Sequence, residues 1–293
     1  MSELLPQFPI YIVSKGRWDS RLTYKSLDEM GIAPFVVIEE QEFDQYASVI
    51  PKERLLILDK KYQDNYDTFD LLGYQKSKGP GAARNFAWDH SIKNGHEWHW
   101  VMDDNINGFE RLNKNLRVKC KSPALFKAME DFCLRYTNVL MAGPNYSFFV
   151  PRRYKRKPYL LNTRIYSCNL IKNSCPYQWR GRYNEDTDIS LRILKAGYCT
   201  IQFNAFLQKK VRTQVLKGGN TDAFYAKEGT YPKSKMLCEM HPDVSKLVMK
   251  YGRWHHHVDY SPFEKNRPIL RNDLTIKEGI NNYSMEFKEA LDS

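Results

Sequence analysis

Short apolar runs separated by stretches of helical period recur through the first hundred residues. Residues 10–14 (IYIVS) read as a strand, Leu22, Leu27 and Met30 mark a helix that stops at Gly31, and residues 35–39 (FVVIE) form the next apolar run. After another short helical stretch comes LLILD at 55–59. A glycine-rich loop follows, then a helix from Pro80 to a stop at Asn94 and Gly95, and finally WHWVMDD at 98–104. Strand and helix alternate four times, which predicts an α/β fold with a Rossmann-like, mostly parallel central sheet flanked by helices. The strands are continuously apolar, as expected where helices cover both faces of a sheet.

The pattern loosens in the second half. Ser122 and Pro123 predict a helix start reaching about Asn138, and VLMAG at 139–143 reads as another central strand. SFFVP, TRIYSCNLI and CTIQF suggest further strands, with a helix from Glu185 to Lys195 between the last two. A helix is expected near Pro242 to Lys250 and another near Met285 to Leu291. There is no repeat, low-complexity tract or linker, so residues 1–293 read as a single domain.

The strand at 98–104 is the most informative element, because an apolar and aromatic run ends in Asp103, Asp104 and Asn105. In an α/β fold the carboxyl ends of strands open onto the ligand crevice. Carboxylates there could hold Mg²⁺ or Mn²⁺ against a diphosphate; an acidic turn is the plainer alternative. The preceding loop, with Lys78 and Gly81, leads into a helix whose N-terminal N–H groups would favour an anion, assisted by Lys78 and Arg84.

Further along, NEDTDISLRILKAG at 184–197 reads as a helix with an Asn cap. Its acids Glu185 and Asp186 could serve the helix dipole alone, or one could be a general base facing an acceptor hydroxyl. Asp186 is the preferred base, ahead of Glu185 and Asp188. Among the histidines, His256 is the first choice to complete a cation site, followed by His255 and then His241. The basic cluster Arg152, Arg153, Lys155, Arg156 and Lys157, flanked by Tyr154 and Tyr159, is suited to phosphates and exposed bases. KGGNTD at 217–222 reads as a polar turn that could close over donor phosphates.

Charge and composition narrow the partners. A formal net charge of +11 and a pI near 9.2 suit a polyanion such as DNA, RNA or an acidic membrane face. Six scattered cysteines without a C-x-x-C pair imply neither a zinc knuckle nor a disulfide framework. With no membrane-length apolar run and no signal-like N-terminus, a cytoplasmic protein is expected.

The run YIVSKGR, the succession GPGAARNFAWDHSI and WHWVMDDNI, the NEDTDISLRIL helix and GRWHHHVDY together resemble the GT-A type TET-associated glycosyltransferases of bacteriophages. This group is related to the C-terminal domain of a vertebrate oestrogen-regulated growth protein. The resemblance implies a GT-A fold with a nucleotide-sugar-binding half at 1–110 and an acceptor- or DNA-binding half at 111–293. It further implies transfer of a sugar from a UDP-sugar to 5-hydroxymethylcytosine in double-stranded DNA, after a TET-type dioxygenase has made that base, in the cytoplasm of the host cell. Carried onto this chain, Ser14, Lys15 and Arg17 would border the nucleotide, Asp103 would approach the ribose or metal, and Asp104 and Asn105 would occupy the metal motif. Asn105 stands where many GT-A enzymes have a carboxylate, so the cation would rest mainly on Asp104. Two alternatives remain open: a GT-A enzyme for a glycan or small acceptor, and a catalytically idle DNA-binding module on this scaffold.

Overall fold

In the computed structural model, which describes residues 4–72, 77–113, 116–151, 157–211 and 230–274, the four N-terminal apolar runs are parallel neighbours. Strand β1 (Ile10–Val13) lies between β2 (Phe35–Ile38) and β4 (Trp98–Asp103), and β3 (Leu55–Ile57) flanks β2. Helices α1 (Leu22–Asp28), α2 (Phe43–Ala47), α3 (Lys60–Asp64) and α4 (Gly81–Lys93) lie along the connections. Both sheet faces are apolar: Ile10, Ile12, Trp98, Trp100 and Met102 belong to one core layer, Tyr11, Val13 and Val101 to the other. Because side chains alternate along a strand, Asp103 shares the face of Val101. That is the face on which α4 packs Ala87 and Trp88.

Beyond β4 the sheet becomes mixed. Strand β9 (Cys168–Lys172) runs antiparallel between β4 and β7 (Val139–Tyr146). The long β10 (Cys199–Lys210) is parallel to β7 and antiparallel to β5 (Ile106–Asn113) and to the short β8 (Tyr159–Leu161). With β6 (Leu116–Cys120) on the edge, the main path is β3-β2-β1-β4-β9-β7-β10-β5-β6. Helices α5 (Ala124–Cys133), α6 (Glu185–Lys195) and α7 (Tyr231–Met240) complete the described helices longer than a single turn. None is long and apolar enough to cross a membrane, and all six cysteines are unpaired.

Three expectations are corrected. The segment expected as a helix at 242–250 contains β11 (Ser245–Lys250), which pairs with β12 (Arg253–Val258). Tyr251 and Gly252 between them both have positive φ, 52° and 69°, the two-residue turn geometry that matches hairpin twist. Helix α7 precedes this hairpin and packs against it. SFFVP forms a 3₁₀ turn at Ser147–Phe149 rather than a strand, and Asn184 caps α6 only by position. Its φ is 55° and its side chain donates to the Lys233 carbonyl (2.6 Å) instead of accepting from the first turn. The helix expected near 285–291 and the turn at 217–222 lie outside the described residues.

Helix α5 is fastened to the sheet by a buried acid. Glu130 accepts from the Gln7 N–H (2.7 Å), the Phe8 N–H (3.3 Å) and the Trp100 indole N–H (2.8 Å). Removing it strands the buried Phe8 N–H and Trp100 indole N–H without an acceptor. Glu130→Ala is expected to lower unfolding free energy by about 2–4 kcal/mol in urea titration; a loss well under 1 kcal/mol would show that these bonds do not hold the helix.

Candidate active site

The carboxyl ends of β1, β2 and β4, with the start of α4 and the end of β10, enclose a cavity of about 470 Å³, a size suited to a small ligand. Val13, Val37, Ile38 and Leu58 form an apolar wall. Ser14, Lys15, Arg17, Lys78, Asp103, Asp104, Asn105, Glu185 and Lys210 supply polar groups. The loop before α4 reaches it by a tight passage: Gly79 has φ of 80°, and a Cβ there would stand 2.8 Å from the Arg182 carbonyl. Pro80, Ala82 and Ala83 bring the N-terminus of the thirteen-residue α4 to the cavity, where unsatisfied N–H groups favour an anion. Gly81 faces away. A side chain there would strike the Tyr66 ring, whose hydroxyl donates to the Gly181 carbonyl (2.8 Å).

Arg84 is the centre of the charged cluster. It is 1 % exposed and its guanidinium lies 4.5 Å from the Trp179 ring centroid. Nη2 donates to Asp103 Oδ1 (2.7 Å), and Nη1 donates to Asp186 and stands 3.4 Å from Glu185 Oε1. Asp186 also accepts from the Ser167 N–H (3.2 Å) and the Asn169 amide (3.3 Å). It does not line the cavity, whereas its neighbour Glu185 does. Burial pushes the Glu185 carboxyl up to about 7 against the pull of Arg84, with Asp186 and Asp103 adding to the rise. Asp188 points elsewhere, to Arg180, Arg192 and His241.

The second clamp on Asp103 is Lys210, whose Nζ donates to Asp103 Oδ2 (2.6 Å) and to Ser167 Oγ (2.7 Å). Although burial opposes ionisation, Lys210 and Arg84 together hold the Asp103 carboxyl well below the usual carboxylate range. Asp104 accepts from Ser14 Oγ (2.9 Å) and from the buried Arg17 guanidinium. Lys15 pairs with Glu39 (2.6 Å), and Lys78 donates to the Gln63 carbonyl (2.6 Å).

The strand-end residues do not fit a resident divalent cation. All four carboxylate oxygens of Asp103 and Asp104 already accept hydrogen bonds. Asn105 Oδ1 has no hydrogen-bond partner, but it offers one neutral oxygen. His256 sits on β12 near Lys233 and Arg164, where burial first and these cations second push its imidazole down to about 4. It does not line the cavity, nor do His255 and His241. Among the described residues no three His, Cys, Asp or Glu side chains converge on a cation position. Displacing Lys210 from Asp103 would take a buried ammonium from its counter-charge, at about 3–5 kcal/mol.

Several of the expected residues therefore meet at one cavity: Ser14, Lys15, Arg17, Lys78, Asp103, Asp104, Asn105 and Glu185, with Arg84 directly behind them. Arg152, Arg153, Lys155 and Arg156 lie outside the described residues, and Lys157 is exposed at the edge of that stretch. Sequence reading missed Lys210, Ser167, Trp179 and Tyr146. Lys210 follows directly on Lys209 at the end of a long apolar strand, and that charged end is the one signal it offered.

The Arg84 cluster carries a stability consequence. Arg84→Met keeps the length of the side chain but leaves Asp103 and Asp186 without their shared cation, and is expected to lower unfolding free energy by about 3–5 kcal/mol. Urea denaturation checks this, and a variant as stable as the parent would show that the cluster is not a structural tie.

A family model for TET-associated glycosyltransferases matches residues 8–219, well over half of the chain and every cavity-lining residue. No curated protein sequence matches the chain. The α/β sheet, with its cavity at the ends of the parallel strands, is consistent with a GT-A-like fold, and the family implies an enzyme that uses a nucleotide-sugar donor. The chain belongs to the TET-associated glycosyltransferase family.

Proposed function

We propose that this enzyme transfers a sugar from a UDP-sugar to the hydroxyl of 5-hydroxymethylcytosine in double-stranded DNA, downstream of a TET-type dioxygenase, in the cytoplasm of an infected cell. The observation that carries the reaction is the position of Glu185: a carboxyl on the cavity wall, with its pKa raised to about 7, beside a cluster of cations. The apolar wall of Val13, Val37, Ile38 and Leu58 suits a nucleobase. Lys15, Arg17, Lys78 and the α4 N-terminus suit a diphosphate.

In the reaction the acceptor oxygen bonds to the anomeric carbon as the bond from that carbon to the diphosphate oxygen breaks. Glu185 takes the hydroxyl proton, and the positive groups of the cavity stabilise the departing diphosphate. Direct displacement inverts the anomeric centre. Asp186, preferred from sequence as the base, acts here through Arg84 as a positioning residue. No step is assigned to a divalent cation, because the strand-end carboxylates are already engaged.

An aromatic ladder beside the cavity supports a nucleic-acid acceptor. Tyr146 stacks on Tyr166 with ring centroids 5.8 Å apart and lies 5.5 Å from Phe149, which is 4.6 Å from Phe148. Phe148 is 73 % exposed and Phe149 41 %. Lys210 stands over the Tyr146 ring at 5.9 Å, so the ladder runs from the charged cluster to solvent. Exposed aromatic faces stack on unpaired bases, which an enzyme acting on a base in a duplex must expose to enclose it. The net charge of +11 and the basic stretch at 152–157 suit the phosphate backbone.

Mass spectrometry of nucleosides from hydroxymethylated duplex DNA, incubated with the protein and a panel of UDP-sugars, tests this reading. The expected result is a sugar mass increment on the hydroxymethylated base alone. Donor hydrolysis without that increment would remove this acceptor. In the same assay Glu185→Gln should slow transfer about 10²–10⁴-fold while leaving donor affinity nearly unchanged; full activity in that variant would reassign the base.

A further inference from the structure

We propose that Lys210 stands in place of a divalent cation, its ammonium contacting the departing nucleoside diphosphate, so that the protein binds its donor without a metal ion. The inference rests on the donor reading above and concerns which group supplies positive charge at the end of β4. Lys210 lines the cavity together with Asp103, Asp104 and Asn105. An ammonium has three N–H donors. Two of them go to Asp103 Oδ2 and Ser167 Oγ, which leaves the third for an anion in the cavity.

The backbone places this side chain deliberately. Strand β10 pairs with β5, and the register shifts between Lys209 and Lys210, so that Lys210 opposes Ile106. Such a bulge re-aims a side chain. Here it brings an ammonium next to the residues that follow β4. The neighbouring Val211 N–H donates to the Asn105 carbonyl (3.0 Å), which pins the end of β10 to the acidic turn. Tyr146 lies under the ammonium and its hydroxyl shares Ser167 Oγ at 2.7 Å. Burial opposes the charge, but Asp103 keeps Lys210 protonated, with its pKa above the ordinary lysine value.

Charge balance favours the same assignment. Lys210 on Asp103 and Arg17 on Asp104 already supply positive charge at the Asp-Asp-Asn turn, to which Arg84 adds a third cation. A metal at this turn would have to compete with them for the same oxygens.

Calorimetric titration with UDP on the full chain, in EDTA and in MnCl₂, separates the two arrangements. The expected result is the same affinity in both. Lys210→Ala should bind UDP about 10–100-fold more weakly, the size of one lost charge-assisted hydrogen bond, and Lys210→Arg should recover much of the loss. Circular dichroism establishes that the variants are folded. If Lys210→Ala does not fold, the wild-type comparison still decides, as does the Mn²⁺ resonance spectrum, in which the free-ion signal should persist in stoichiometric protein. UDP binding that requires Mn²⁺, or Mn²⁺ sequestered by the protein alone, would overturn the proposal and leave the donor reading standing. No binding of UDP, ADP, GDP or CDP in either buffer would remove the donor reading and this proposal with it.

Discussion

A guanidinium buried inside the protein must find acceptors for its donors and charge for its charge, and Arg84 does so by drawing three carboxylates toward one point. It rests on Trp179, bonds Asp103 and Asp186, and lies near Glu185. These groups come from α4, the end of the next strand β4 and the start of α6, where Asp186 lies 102 positions beyond Arg84 in the chain. The cluster therefore fixes the cavity and the fold together. Without Arg84, Asp186 and Glu185 would lose the cation they share, while Asp103 would keep Lys210.

That constraint also sorts the acids by role. Asp103 is held between Arg84 and Lys210, and Asp104 between Arg17 and Ser14, so both remain structural anions behind a cationic surface. Asp186 is absorbed by Arg84, Ser167 and Asn169. Glu185 alone of the α6 acids lines the cavity, and burial keeps its proton affinity high. A carboxyl that can exchange a proton near neutral pH thus follows from burial, which outweighs the opposing pull of Arg84.

Much of this was legible in sequence where one residue's neighbours determine its place. The four parallel strands follow from continuous apolar runs, the acidic end of β4 from an abrupt change in polarity, α4 from its proline start and Asn-Gly stop, and α6 from its periodicity. What was hidden depends on distant pairing. Lys210 meets Asp103 across 107 positions, the antiparallel insertion of β9 leaves no trace in hydropathy, and Tyr251 in a left-handed turn does not announce a hairpin. The choice between Glu185 and Asp186 turned on rotation. Successive residues on a helix point about 100° apart, and only the position of Arg84 shows which of the two it takes and which it leaves facing the cavity.

The central claim is that Glu185, tuned by this cluster, accepts the acceptor's proton. Its most direct test is the pH dependence of transfer at saturating donor and DNA. A carboxyl with raised pKa is a competent base only after losing its proton, so the rate should climb with pH through an apparent pKa near 7 and then level off. The residual activity of Glu185→Gln should lack that limb. A rate that is flat from about pH 5 to 8, or the same limb retained in Glu185→Gln, would contradict the account.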